Sequence, residues 1–133
     1  EMSKAICEAV AEFDPGLIIL GLSGSETIRA AKDCGLKTAL EVFADRAYEE
    51  DGSLVDRRKP GAVIRDEQEA IERVIRMVKE GKVTAVTGKD IPIRADSVCV
   101  HGDGEKALLF VEKIKKALSE EGIEIRPLRE ICG

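Results

Sequence analysis

Short segments typical of β-strands alternate along this chain with longer segments in which apolar residues recur at helical spacing. Residues 17–20 are continuously apolar, as expected of a strand that is buried on both faces. Residues 38–43 and 97–100 are predicted as two further strands. Strands that are separated by helices pair in parallel through right-handed crossovers. The alternation therefore predicts the α/β class, with a parallel-strand sheet and helical crossovers.

Several local patterns predict where the helices begin. Apolar residues at helical spacing predict the first helix over residues 5–13. Ser23 and Glu26 have the spacing of a capping box, and Asp66 and Glu69 have the same spacing. We therefore expect a helix to begin after Ser23 and another after Asp66.

The second half of the chain contains weaker strand signals. Residues 83–86 and 91–93 flank a glycine-containing turn and predict a hairpin. Residues 123–125 are predicted as a final strand. Between these signals, Asp103 is a candidate N-cap for a helix that begins at Gly104, because aspartate fills that position well.

The composition indicates one globular domain, residues 1–133. Charged residues make up 35% of the chain and hydrophobic residues 44%, a balance typical of globular proteins. The net charge of −5 argues against a nucleic-acid partner, and no apolar run approaches the roughly 20 residues that span a bilayer. The four cysteines form no Cys-x-x-Cys pair, so we expect reduced thiols and a cytoplasmic protein.

A long polar segment after the second predicted strand carries the first group of candidate site residues. Glu41, Asp45, Arg46 and Tyr48 lie at or just past the strand end, and Arg57 follows in the same loop. A carboxylate there can act as a general base, orient a water molecule or hold a metal. An arginine offers a fork of donors for a carboxylate or a phosphate. The structural alternative is an ion pair of Asp45 with one of the two arginines, which would only shape the loop.

The second group follows the strand predicted at residues 97–100. His101, the only histidine, is separated from Asp103 by one glycine. A histidine there can bind a metal, act as a general acid–base or donate to an oxyanion; a buried, hydrogen-bonded structural role is the alternative. Because parallel strands end at one edge of a sheet, we expect Asp45, Arg46, Arg57 and His101 to lie close together.

The two groups together resemble the LamB/YcsF family. The resemblance is carried by Glu41-Val-Phe-Ala-Asp-Arg-Ala-Tyr48, Asp51-Gly-Ser-Leu-Val55, Lys59-Pro-Gly-Ala-Val-Ile64 and Val98-Cys-Val-His-Gly-Asp103. It implies that the sheet is part of a distorted (β/α) barrel of the glycoside hydrolase/deacetylase type. It also implies a part in the ATP-coupled opening of 5-oxo-L-proline to L-glutamate.

The residue types and the resemblance together assign seven site residues. Catalytic roles are predicted for Glu41, Asp45 and His101. Substrate binding is predicted for Arg46, Tyr48, Arg57 and Asp103.

The resemblance also carries expectations about the rest of the system. Members of the family begin well upstream of residue 1, with an acidic segment and further histidine motifs. We therefore expect this chain to be the C-terminal part of a longer protein and to be inactive alone. ATP is implied through a complex with 5-oxoprolinase subunits B and C, while a divalent metal and a homo-oligomer are left open. The alternatives are a metal-dependent amide or deacetylase-type hydrolase without ATP, and a non-catalytic assembly module.

Overall fold

A computed structural model describes residues 1–102 and 104–132 of the chain. Within these residues the elements are, in order, α1 (Met2–Phe13), β1 (Ile18–Leu22), α2 (Glu26–Asp33), β2 (Lys37–Phe43), α3 (Glu67–Glu80), β3 (Lys82–Thr84), β4 (Asp90–Pro92), β5 (Ser97–Cys99), α4 (Ala107–Glu120) and α5 (Leu128–Cys132). None of the helices in this described part is long and apolar enough to cross a membrane.

The central feature is a parallel three-stranded sheet in the order β1-β2-β5. Strand β2 lies in the middle, with Leu22 of β1 opposite Glu41 and Cys99 of β5 opposite Phe43. Helix α2 connects β1 to β2, and the long loop, α3 and the β3–β4 hairpin connect β2 to β5. The predicted α/β class with parallel strands and helical crossovers is confirmed. That this sheet is part of a distorted (β/α) barrel stays a prediction.

Two helix starts show how the local chemistry compares with the prediction. The Asp66 side chain accepts the backbone N–H of Glu69 at 2.8 Å, as expected of the residue that caps α3. The predicted cap of α2 was wrong, because Ser25 and not Ser23 is its N-cap. Gly24 adopts a φ of 78°, which turns the chain after Ser23 and moves the start of the helix by two residues.

The hairpin was predicted correctly, since β3 and β4 pair antiparallel. The final strand was wrong: residues 123–125 pair with no strand in the described part of the chain, and a short helix, α5, follows them. The helix predicted from Gly104 begins at Ala107 instead, with Lys106 as its N-cap. The proposed cap, Asp103, lies outside the described residues.

The main hydrophobic core lies between the sheet and helices α3 and α4. Val42 on β2 packs there with Val74 and Met77 of α3 and Ile114 of α4, and all four side chains are buried. A smaller core, centred on Cys7, Ala31 and Leu36, holds α1 and α2 together. The main core therefore fixes the position of β2, and the long loop begins at the end of this strand.

The loop over residues 44–65 is ordered by a third small core. Ala47, Val55 and Ala62 are buried against one another, and Ile64 packs on them. Isolated β-bridges join Arg46 to Val63 and Tyr48 to Leu54. The loop is therefore a folded unit that can hold side chains in fixed positions.

Candidate active site

The two predicted groups of site residues meet where β2 and β5 end. Phe43, the last residue of β2, pairs with Cys99, the last residue of β5, and the N–H of Ala44 donates to the carbonyl of Cys99 at 3.2 Å. Asp45 and His101 each lie two residues beyond their strand. The parallel pairing thus brings these two residues together although 56 positions separate them.

Asp45 and His101 form a carboxylate–imidazole pair. His101 Nδ1 lies 3.1 Å from Oδ1 and 3.1 Å from Oδ2 of Asp45. The Asp45 side chain is 23% exposed and the His101 side chain is 30% exposed, so the pair is partly shielded but within reach of a ligand. The ring of Phe43 stacks on the imidazole at a centroid distance of 5.9 Å and an interplanar angle of 29°. Carboxylate and phenyl ring together fix the orientation of the imidazole.

The other imidazole nitrogen faces an arginine. Arg57 Nη2 lies 3.2 Å from His101 Nε2. Because a guanidinium only donates hydrogen bonds, Nε2 must accept and cannot carry a proton in this contact. The proton of the neutral ring is therefore on Nδ1, which donates to Asp45. A carboxylate, an imidazole and a guanidinium form one continuous chain of hydrogen bonds.

A tight turn next to Arg57 holds its backbone. The Asp56 carboxylate accepts the backbone N–H of Arg58 at 2.9 Å and also binds the Arg58 guanidinium. These bonds lower the pKa of Asp56 to about 2. The carbonyl of Asp56 accepts the N–H of Lys59 at 2.9 Å. The Arg58 side chain is thus committed to Asp56, and the Arg57 side chain extends to His101.

Glu41 lies near the pair but does not touch it. Glu41 and Phe43 are two residues apart in β2 and therefore lie on the same face of the sheet, and Glu41 is half-buried. Burial raises the pKa of the Cys99 thiol, and the negative charges of Glu41 and Asp45 raise it further. The predicted catalytic residue therefore adds negative potential at Cys99, two residues before His101, and makes no hydrogen bond to the Asp45–His101 pair.

Arg46 and Tyr48 were predicted to bind substrate, but the structure buries both side chains, Tyr48 in the main core and Arg46 against the loop backbone. Tyr48 is 0% exposed, and its hydroxyl oxygen accepts the N–H of Phe43 at 2.9 Å. Arg46 is 7% exposed, and its Nη2 donates to the carbonyl of Val55 at 2.7 Å. In this conformation neither side chain presents a surface to a ligand. Of the four residues expected to converge, Asp45, Arg57 and His101 meet, and Arg46 points away. The remaining predicted residue, Asp103, lies outside the described part of the chain.

A cleft of about 440 Å³ opens beside Asp45 and His101, between the starts of α3 and α4. Its wall carries both signs of charge, from Arg65 and Lys106 and from Asp66 and Glu67, and Phe110 provides an apolar surface. Sequence reasoning missed Arg65, Lys106 and Phe110 as cleft residues and the stacking role of Phe43. Only Phe43 had a signal in the sequence. Residues two apart along a strand lie on one face, and Phe43 is two residues from both Glu41 and Asp45.

The described residues alone do not supply a metal centre. Among residues 1–102 and 104–132, no three His, Cys, Asp or Glu side chains cluster closely enough to hold an ion. Catalytic zinc sites commonly take three protein ligands. The Asp45–His101 pair would furnish two ligands at most, and these two side chains bind each other.

The fold and the site define an α/β protein with a carboxylate–imidazole pair at the carboxyl ends of parallel strands, the usual position of a ligand site in such sheets. The model of the LamB/YcsF family matches residues 1–133, and the chain belongs to this family. The family predicted from the two site segments is thereby confirmed.

Relatives and a solved structure agree with this membership. The chain is 65% identical over 131 residues to the A subunit of 5-oxoprolinase from Clostridium beijerinckii, covering 98% of this chain and 51% of that protein. It is 59% identical over 124 residues to the corresponding 5-oxoprolinase protein of Campylobacter jejuni subsp. doylei, covering 93% and 49%. The crystal structure of a lactam utilization protein from Thermus thermophilus superimposes with a TM-score of 0.85 at 40% identity, again covering 93% and 49%. The chain thus spans about half the length of the proteins it matches.

Proposed function

We propose that this chain is part of the A subunit of a 5-oxoprolinase, a hydrolase that opens the lactam ring of 5-oxo-L-proline to give L-glutamate. The Asp45–His101–Arg57 chain of hydrogen bonds is the observation that carries the proposal. The relatives are named for 5-oxoprolinase and for lactam utilization, and these names support it.

His101 is proposed as the general acid–base. Its Nε2 would take a proton from a water molecule while the water oxygen bonds to the lactam carbon. The same proton would then pass to the ring nitrogen as the carbon–nitrogen bond breaks, which leaves a carboxyl group and an amine. Asp45 accepts the Nδ1–H at 3.1 Å and would stabilise the imidazolium that forms between these steps.

Charges around the cleft suit the substrate. Arg57 offers a fork of donors to the carboxylate of 5-oxoproline. On the cleft wall, Arg65 and Lys106 offer positive charge beside the negative Asp66 and Glu67, and Phe110 can pack against the methylene groups of the ring. Glu41 is proposed to support the pair electrostatically.

The wider system is proposed to be an ATP-coupled complex. The chemistry that ATP would supply, through partner subunits B and C, is phosphorylation of the lactam carbonyl oxygen with ADP as the leaving group, and the phosphate would be released as inorganic phosphate when the carboxyl group forms. The relatives are named as one subunit of their enzyme, which supports an assembly of several different chains. The four free thiols in the described structure suit the reducing cytoplasm in which we propose that the complex works.

Removing the imidazole tests this proposal. In the full-length gene product, assayed with its partner subunits and ATP, we expect His101→Ala to lower glutamate formation by about 10²–10⁴-fold, the usual contribution of a general acid–base. The thermal midpoint should change little, because the side chain is only partly buried. Asp45→Asn should lower turnover in the same direction. Normal turnover per folded molecule in His101→Ala would reduce the histidine to a packing residue and remove the proposal's main support.

A further inference from the structure

We infer that Arg57 keeps His101 in a resting state, and that the base is released only when the carboxylate of a bound ligand takes the guanidinium away from it. The inference rests on the proposed function and deepens it. It assigns Arg57 a positioning role toward the imidazole in addition to substrate binding. It also predicts which chemical feature of a ligand switches the site on.

The resting state follows from the two contacts of the imidazole. At 3.2 Å from Arg57 Nη2, the lone pair of Nε2 is occupied as an acceptor. That lone pair is the one that must accept a proton from water, because Nδ1 already donates to Asp45. Protonation of Nε2 would also place an imidazolium against a guanidinium. While the contact lasts, His101 is neutral, holds a single tautomer and is blocked as a base.

The contact between Arg57 and His101 can be replaced by a contact between Arg57 and a ligand. Arg57 is exposed and, among the described residues, no carboxylate lies within ion-pair distance of its guanidinium. A ligand carboxylate carries a negative charge and can accept two parallel hydrogen bonds from a guanidinium, whereas the neutral imidazole accepts only one. A single bond to a neutral imidazole nitrogen is therefore the weaker competitor. Binding of a carboxylate would free Nε2 next to the bound ligand.

The ligand class follows from the same argument. A molecule that carries only a lactam leaves Arg57 on His101, whereas one that carries a lactam and a carboxylate removes it. 5-Oxo-L-proline has both groups, and pyrrolidin-2-one has the same ring without the carboxylate. The pair of compounds separates release of the base from occupation of the cleft.

Other charged groups also surround the imidazole. Asp45 and Arg57 contact it directly. The charged groups across the cleft are Arg65, Asp66, Glu67 and Lys106. Each variant is therefore compared with wild type at the same pH values, so that the protonation states of these groups are the same in both samples.

The test is ¹⁵N NMR of the imidazole in the full-length gene product labelled on histidine, with a His101→Gln sample to assign the signals. In wild type we expect a neutral ring that is protonated at Nδ1. In Arg57→Met, whose side chain cannot donate a hydrogen bond, we expect Nδ1 to stay protonated on Asp45 and the Nε2 signal to shift, because its lone pair loses the hydrogen bond from Arg57. Arg58→Met is the matched control, because Arg58 is bound to Asp56 and should leave the imidazole signals unchanged.

Ligand titrations complete the test. In wild type, 5-oxo-L-proline should shift the Nε2 signal and pyrrolidin-2-one should not. In Arg57→Met the difference between the two compounds should disappear. Identical imidazole spectra for Arg57→Met and wild type, or equal shifts with both compounds in wild type, would overturn the inference. Neither result bears on the proposed function, which fails separately if His101→Ala retains normal turnover.

Discussion

At the scale of single residues, the site separates side chains that face the cleft from side chains that build its support. His101 and Asp45 are partly exposed and bind each other. Tyr48 follows Asp45 by three positions and is fully buried, with its hydroxyl on the N–H of Phe43. That bond ties the loop back to the end of β2. Tyr48 therefore acts on the position of Asp45 through the backbone.

Replacing this hydroxyl should cost stability. In Tyr48→Phe the buried N–H of Phe43 loses its partner, and an unsatisfied buried donor costs roughly 1–3 kcal/mol. We expect a loss of this size in the free energy of unfolding, measured by urea denaturation at neutral pH. An unchanged unfolding free energy would mean that another acceptor replaces the hydroxyl.

The same variant should change the response to alkaline pH. Burial raises the pKa of Tyr48, so the unfolded chain loses the phenolic proton at a lower pH than the folded protein. The contribution of Tyr48 to stability is therefore fully present below the ordinary tyrosine pKa, about 10, and is lost as the pH rises above it. Tyr48→Phe should lose less stability than wild type over that rise. Parallel pH profiles would contradict this linkage.

Sequence reasoning at this scale succeeded where topology decided the outcome. Neighbouring parallel strands end at one edge, so the approach of Asp45 and His101 followed from the strand pattern alone. The inward orientation of Arg46 and Tyr48 did not follow, because it depends on bridges to Val63 and Leu54. Those contacts join residues within a loop that has no periodic pattern, and no local signal marks them.

At the scale of elements, the start of α3 is the junction between the loop and the main core. Asp66 caps the helix and also lines the cleft, while Val74 and Met77 of the same helix are buried under the sheet. The cap thus links the position of the cleft wall to the packing of the helix. Its chemistry is local, which explains why the Asp66–Glu69 spacing predicted it.

Two substitutions at the cap give a matched test. Asp66→Ala removes the acceptor for the N–H of Glu69 and should lower the free energy of unfolding by about 1 kcal/mol. Asp66→Asn retains a side-chain oxygen of similar capping strength and should stay close to wild type. Urea unfolding of the three proteins measures the difference. Equal losses in both variants would show that the charge of Asp66 matters and its cap does not.

Two element-level predictions failed, one for a tertiary reason and one because of the local backbone conformation. Residues 123–125 are rich in isoleucine, but a strand needs a neighbour in a ladder. They line a groove beside α4 instead and join no sheet in the described structure. Ser23 has the right spacing to Glu26, but the left-handed conformation of Gly24 gives the cap to Ser25. In the first case tertiary position overrides local propensity. In the second case the backbone conformation of Gly24 overrides it.

At the scale of the whole molecule, apolar surface remains uncovered on α1. Helical spacing predicted this helix, yet the face that packs on α2 is centred on Cys7. Ile6 is 50% exposed and Phe13 is 85% exposed. In the described sheet, β1 and β5 each pair on one side only, so both are edge strands. Apolar patches and open strand edges are the usual sites of contact with another chain.

We therefore expect residues 1–133, expressed alone, to self-associate at micromolar concentration and to show no 5-oxoproline hydrolysis. The double variant Ile6→Gln/Phe13→Gln should shift the particles toward the monomer in light scattering, because it removes the largest exposed side chain of α1 and a second one from the same helix. Leu109→Gln is the matched control: it removes a similarly exposed apolar residue from α4, 56% exposed, and should leave the association unchanged. If the double variant and the control behave alike, the open strand edges and not α1 drive the association. A stable monomer that hydrolyses 5-oxoproline would show instead that these residues form a self-sufficient catalytic domain.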